Sequence, residues 1–557
     1  MIMKKNFMKG LLMLAAGVFA VSCADYNVTD DFTAKPDPTF TEPYKDLAPV
    51  KSYIDRSKNP NMSLGVTLKV VEYNKQALAH AAAMTNFDNL AFGTSLMSGS
   101  IVNAKGIMNF LDMKDLLDHV EEIGGDVFGS PIAANANQAD EWLNYLISPI
   151  EIPVETVEDK FVDYTTMETF TGTAKRGKPV IVKNYDGSDN ALKLPKRSMV
   201  YIVEDFEAEP LGSYTVTFYA KVDKDESVIC TFTGNRLQET VKDKPVDIKF
   251  PIKPGKWVKI VIEAMPAEGE TAGYLMLEGN LNSDIYIKNV KVTHTPDNHR
   301  PQTAEEKRDT LNYALNAWCE GLMKINAGRI KSFDLIDEAI DAKAELENGM
   351  FDLKHSTDKI FWQDIFGGEN YAPVVSKAAI AAYQNHEGNP EELKFFISES
   401  GLDDQKKFES LKYWIGVWEA NGAKIDGINA KLSLTYSEDE ARQAENKAQF
   451  DMLLDNLISA GKLIRLSNFD IKYQDATGAN VTAKDITEEQ RQKVADYYAY
   501  IIKSYMDKVP SEKQAGLCKG NMVDTSDPVG LWAKDASSGD WVRTATYKAF
   551  CDALSGN

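Results

Sequence analysis

The chain has 557 residues, a formal net charge of -21 and 43% hydrophobic side chains. That length exceeds one ordinary domain, and the apolar content is enough to build real cores, which excludes general disorder. The acidic balance has no basic stripe to offset it, which argues against nucleic acid as a partner, while neutral sugars stay compatible with it.

Met1 to Lys9 carries Lys4, Lys5 and Lys9, an apolar run follows from Leu11 to Val21, and Ala20-Val21-Ser22-Cys23 closes it. A basic start, a short apolar stretch and small residues before a cut predict a secretory signal peptide over 1–22. The run is too short to span a bilayer as a helix. Cysteine after small residues resembles a bacterial lipobox, which would make Cys23 the lipidated first residue; the alternative is an ordinary signal peptide with a chance cysteine. Acyl chains on Cys23 predict anchoring at the outer membrane or cell surface. Residues 23–47, rich in Asp, Thr and Pro and lacking periodicity, predict a solvated tether.

From about residue 66 short apolar stretches alternate with longer amphipathic ones. Leu111 to Ile123 places Leu116, Leu117 and Val120 on one helical face, and Asp126 to Gly129 reads as a short buried strand. The same alternation returns after residue 300. Helical segments are Arg308 to Met323, Tyr371 to Tyr383, Gln443 to Ser459 and Glu489 to Tyr505; strand-like ones are Ile330 to Ile336, Leu393 to Ile397 and Leu463 to Ile471. This pattern predicts an α/β fold, a (β/α)8 TIM barrel built from residues 48–150 and 298–557.

Residues 151–297 follow a different period. Tyr214 to Val222, Trp257 to Glu263 and Ile285 to Thr293 alternate with period two, separated by turns such as Asp186-Gly187 and Pro254-Gly255. They predict an all-β sandwich inserted into the barrel, tolerable if its ends lie close together. Cys230, Cys319, Cys518 and Cys551 are far apart with no C-x-x-C spacing, which predicts buried free thiols rather than a zinc cage or a disulfide framework. No metal or cofactor is implied.

Five stretches in order resemble glycoside hydrolase family 10, the endo-1,4-β-xylanase family. Phe333-Asp334-Leu335-Ile336-Asp337-Glu338-Ala339 is similar to its W-D-V-V-N-E-A, and Trp362 through Gly368 to Tyr371 to its W…LG…Y. Phe395-Phe396-Ile397-Ser398-Glu399-Ser400 stands where L-F-I-N-D-Y is expected. Ile425-Asp426-Gly427-Ile428 matches I-D-G-I, and Leu466-Ser467-Asn468-Phe469-Asp470-Ile471 stands where I-T-E-L-D-I belongs. The resemblance implies that Glu338 occupies the general acid/base position and Asn468 the nucleophile position.

A retaining glycosidase needs two carboxyls about 5 to 5.5 Å apart. The amide of Asn468 cannot form the glycosyl ester intermediate. Other expected residues are also replaced. The H-T-L-V-W-H strand is Ser130-Pro131-Ile132-Ala133-Ala134-Asn135, the E-N-x-M-K clamp is Thr94-Ser95-Leu96-Met97-Ser98, and the Q-x-H is Lys431-Leu432-Ser433. The late W-G tryptophan aligns with Lys519. Two routes around the loss exist on paper. Asp470, two residues beyond Asn468 on the same predicted strand, could serve as nucleophile, or Glu338 with Asp337 or Glu399 could invert across about 6.5 to 9.5 Å.

The insertion resembles jelly-roll carbohydrate-binding modules through Gly187 to Leu192, Phe218-Tyr219-Ala220, Gly255-Lys256-Trp257 and Asp284 to Val290. Lys288 breaks the closing D-x-V motif, a departure that puts a calcium site in doubt. Trp257 is a candidate sugar platform or a core residue, with Tyr185, Tyr214 and Tyr274 as further candidates. Trp142 and Trp532 are expected near barrel-mouth loops, where Asp337 and Asp470 would also meet ligand. Trp414 and Trp418, spaced i, i+4, read as core.

The leading expectation is a pseudoenzyme, a surface lipoprotein that binds a xylan-like or other polysaccharide for an outer-membrane uptake complex. The alternative is an active endo-acting glycoside hydrolase with altered carboxylates, and a third class is a docking protein that touches no sugar.

Overall fold

The computed structural model describes residues 44–556 except 123, 153–154, 188, 211, 242–243, 279–282, 297–298 and 536–537. The signal peptide, Cys23 and the tether up to residue 43 lie outside the described residues. Two compact units divide the chain: residues up to Tyr145 together with Thr310–Asn557, and Leu146–Asp309.

The first unit is a closed (β/α)8 barrel. Its strands are β1 (Leu64–Thr67), β2 (Asn89–Ala91), β3 (Asp126–Gly129), β4 (Ser332–Asp337), β5 (Lys394–Ser400), β6 (Gly427–Lys431), β7 (Leu463–Ser467) and β8 (Gln514–Lys519). All neighbouring pairs are parallel, and β8 returns to pair β1, so no strand edge is left open. The strands are short and buried nearly throughout, as parallel strands covered on both faces must be.

The intervening helices begin at defined caps. Asp404 and Asp439 accept the N–H of Lys407 and Arg442, and Thr487 and Gln490 form a capping box at the start of the helix Glu488–Lys508. Leu116, Leu117 and Val120 are buried together with Met113, and Trp414 stacks on Trp418 within the core.

The predicted strand Leu463 to Ile471 is interrupted. β7 stops at Ser467, Asn468 turns to φ +54°, and Ile471–Gln474 pairs instead with Leu434–Ser437 in a separate two-stranded sheet. Side-chain alternation does not encode a single left-handed residue, and Asn is among the few types that adopt one.

The barrel lumen contains polar groups. Arg465 on β7 reaches across to place its guanidinium 3.9 Å from the centre of the Phe128 ring on β3. Asn429 on β6 donates to both carboxylate oxygens of Asp334 on β4 at 3.1 and 3.0 Å. Burial, with the nearby Asp337 charge, raises the Asp334 carboxyl to about 8 against the opposing pull of Arg465 and Asn429.

The second unit consists of two antiparallel sheets around one core. One contains Met199–Glu207, Ala272–Glu278 and Glu226–Phe232; the other Asp189–Leu194, Ile285–Thr295, Ser213–Val222 and Val258–Ala264. Alternate residues such as Val216, Phe218, Leu275 and Val290 fill the space between them. His299–Arg300 pairs antiparallel with Ile150–Glu151, so the two ends of the unit meet. Cys230, Cys319, Cys518 and Cys551 are all free and buried.

Candidate active site at the barrel mouth

Glu338 and Asn468 follow the C-terminal ends of β4 and β7, the end of a barrel where ligands bind. Both have left-handed backbones, at φ +49° and +54°. Such conformations cost of order 1–3 kcal/mol for non-glycine residues and concentrate at functional sites. The two strand ends therefore carry one carboxylate, Glu338, and one amide, Asn468.

Lys431, at the end of β6, places its ammonium 2.7 Å from Asp337 and 2.8 Å from Glu338. Lys354 approaches Glu338 from the other side at 3.8 Å. Glu399 on β5 is fully buried and hydrogen-bonded to Glu338, with Lys407 2.8 Å from its other oxygen. Burial alone would raise the Glu338 carboxyl, but the hydrogen bonds from Glu399 and Lys431 and the Lys431 charge overcome it and hold the group at about 2. Burial and the Glu338 charge push Glu399 the other way, to about 7.

The carboxylates of the two alternative routes, Asp470 and the pair Glu338 with Asp337 or Glu399, are each engaged by other groups. Asp470 lies beyond the break at Asn468, not on β7, and its N–H donates to the Asn468 carbonyl. Its carboxylate is bound by the fully buried Lys519 and by Asn521, whose N–H and Nδ2 donate at 3.1 and 2.6 Å. Gly520 makes this packing possible, since a Cβ there would come within 2.7 Å of Asp470 Oδ2 and 3.2 Å of Asn468 Oδ1. Asn468 Nδ2 donates to the Leu432 carbonyl at 2.9 Å. Glu338 and Glu399 touch, which leaves no room for the water that an inverting pair needs between them. Asp337 is bound to the same ammonium as Glu338.

The aromatic candidates divide differently from expectation. Trp142 is buried on the helix Asp140–Leu146 against Gly106, and Trp532 is buried edge-on to Tyr547. Neither presents a free ring face. Trp541, which the sequence reading missed, stands half-buried beside Trp532 in the hairpin Trp532–Lys534/Trp541–Arg543, in the segment that follows β8. The only clue to it was a tryptophan after the Gly539-Asp540 turn.

Within the second unit Tyr214 is fully buried. Trp257 donates to Asp186 at 2.6 Å and has the Lys288 ammonium over its ring at 4.8 Å. Tyr185 is stacked on Tyr286 at 3.9 Å and approached by Lys221. Tyr274 packs edge-on to Tyr201, and its hydroxyl accepts the Gly234 N–H. Lys288 ion-pairs with Asp189 at 3.0 Å. These rings are engaged with lysines and with each other. Among the described residues no group of three or more His, Cys, Asp or Glu is placed to hold a metal ion.

The sequence profile of Glycosyl hydrolase family 10 matches residues 293–526, under half of the chain. Among curated proteins none matches. Xylanase B from Clostridium stercorarium F9 is similar in structure with a TM-score of 0.51 at 10% identity, over 91% of this chain and 100% of that one. Xylanase10C from Cellvibrio japonicus gives a TM-score of 0.50 at 12% identity, over 93% of this chain and 75% of that one. At these identities the likeness is one of fold.

Proposed function

We propose that the chain is a glycan-binding lipoprotein anchored through Cys23, built on a xylanase-like barrel that no longer hydrolyses, and that it holds polysaccharide at the cell surface for an uptake complex. The observation that carries the loss of chemistry is the Lys431 clamp. A lysine ammonium stabilises the ionised form of the carboxylate at the acid/base position while Asn468 stands in the nucleophile position. An amide cannot form the glycosyl ester that a double displacement needs, and an adjacent ammonium favours the ionised form of Glu338 over the protonated form that a general acid uses. The xylanase-like scaffold supports a sugar ligand, and Trp541 is the aromatic best placed to stack on a sugar ring at the mouth.

The test uses the chain from Ala24 onward, which contains every described residue. It is run through gels containing xylan, arabinoxylan, pectin or host glycans and assayed over a day for reducing sugar. Retention on at least one polysaccharide without release, weakened by Trp541→Ala and unchanged by Glu338→Gln, is the expected result. Release of sugar that Glu338→Gln abolishes would overturn the proposal in favour of an active hydrolase.

A further inference from the structure

The opposite end of the barrel holds an open cavity of about 500 Å³. Ser63, Asn89, Asp126, Ser332, Lys394 and Gln514, which line it, lie at or just before the first residues of β1, β2, β3, β4, β5 and β8. It is therefore the N-terminal face of the barrel, remote from Glu338 and Asn468. Arg465 also lines this cavity, although the residue is only 1% exposed, and its Nε and Nη1 have no hydrogen-bond partner. Two acceptors in the same lining are equally unmet: Asn89 Oδ1 and Gln514 Oε1. The rest of each amide is fixed, because Asn89 Nδ2 donates to Ser63 and Gln514 Nε2 donates to the Val509 carbonyl at 3.0 Å.

The acidic groups nearby do not meet this need. Asp426 is turned to the Phe395 N–H at 2.9 Å and to Lys394 at 3.5 Å, and Asp126 accepts the N–H of Val127. Asp126 and Asp334 lie within electrostatic reach of the guanidinium, but no hydrogen bond or ion pair joins it to any of these acids. Water could satisfy the N–H groups, but a ligand carboxylate would satisfy them and add the direct ion pair that Asp126 and Asp334 leave unmade. The unmet Nε–H and Nη1–H leave the guanidinium along different edges, and a carboxylate oxygen is a charge-matched acceptor for either. The two unmet amide oxygens ask for donors, which hydroxyl groups supply.

We propose that this chamber binds a small hydroxylated carboxylate of the sugar-acid class. Its carboxylate sits on Arg465, and its hydroxyls donate to Gln514 and Asn89. This site is independent of the glycan-binding reading, since none of its residues belongs to the mouth.

Isothermal titration of the chain from Ala24 onward with sodium D-gluconate, sodium D-glucuronate, D-glucose and inorganic phosphate tests the proposal. Gluconate or glucuronate is expected to bind once per chain and D-glucose not to bind. Arg465→Met should weaken binding about 30-fold or more, as loss of a buried charged partner does. Lys394→Glu, at the rim and outside the lumen, should weaken it several-fold through charge alone even if Arg465→Met fails to fold. Lys431→Met should leave affinity unchanged. Binding of phosphate alone, equal binding of glucose, loss of binding with Lys431→Met, or no binding of either sugar acid would each overturn it.

Discussion

One ammonium group, that of Lys431, contacts the carboxylates of both Asp337 and Glu338 at the barrel mouth. Replacing it by glutamine, the residue that the family resemblance places there, should let the Glu338 carboxyl rise from about 2 toward the ordinary glutamate range, a change readable by carboxyl-carbon NMR titration. An unmoved midpoint would show that Glu399 and Ser400 alone hold it down. The two buried acids with raised values have the opposite consequence for the whole fold. Glu399 titrates near 7 and Asp334 near 8 in the native state, against about 4 when unfolded, so the native state binds more protons in that window. Stability is then fullest below about pH 4 for these groups and falls as pH rises through 7 to 8, by on the order of 3 kcal/mol for Glu399. Glu338 runs the other way, and its contribution disappears only as pH falls from about 4.5 toward 2. Calorimetry should find a higher melting temperature at pH 5.5 than at 8.5, with a smaller difference in Glu399→Gln. The positions of Glu338 and Asn468 were legible in the sequence because each sits in a motif with fixed neighbours. The role of Lys431 was not: a sequence registers a missing glutamine, but the reach of its replacement across to β4 is a matter of three-dimensional geometry.

At the scale of elements, the amphipathic helices were readable to within a few residues because a 3.6-residue apolar stripe runs their whole length. The end of β7 was not, because a strand broken by one left-handed asparagine keeps its apolar pattern on both sides. That break removes Asp470 from the strand and gives it to Lys519. A fully buried ammonium without its counter-charge is costly, so Asp470→Asn should destabilise the protein by about 3 kcal/mol in urea unfolding. Pairing it with Lys519→Met should recover most of that loss. Recovery of none would mean that Asp470 matters chiefly through its bonds to Asn521.

For the whole molecule, the change from one hydrophobic period to another at residues 151–297 revealed two kinds of architecture. The closed (β/α)8 ring was expected from that pattern, but the polar lumen did not show, because contacts such as the reach of Arg465 to Phe128 join residues hundreds of positions apart. The second unit has a core of its own, and its ends are joined by the short pairing of Ile150–Glu151 with His299–Arg300. A fragment spanning 146–309 should therefore unfold as one cooperative unit by circular dichroism; a gradual, featureless melt would show that it borrows stability from the barrel.

The same pairing dictates an order of birth. A chain that emerges N-terminus first delivers β1, β2 and β3, then the entire second unit, and only afterwards β4 to β8. Until then the first three strands form at best an open parallel ribbon, with the edge of β3 awaiting β4 and that of β1 awaiting β8. Unpaired edges of this kind invite association with other chains. The nascent protein therefore has a built-in interval of vulnerability, as long as the time its second unit takes to appear, during which a chaperone has most to protect.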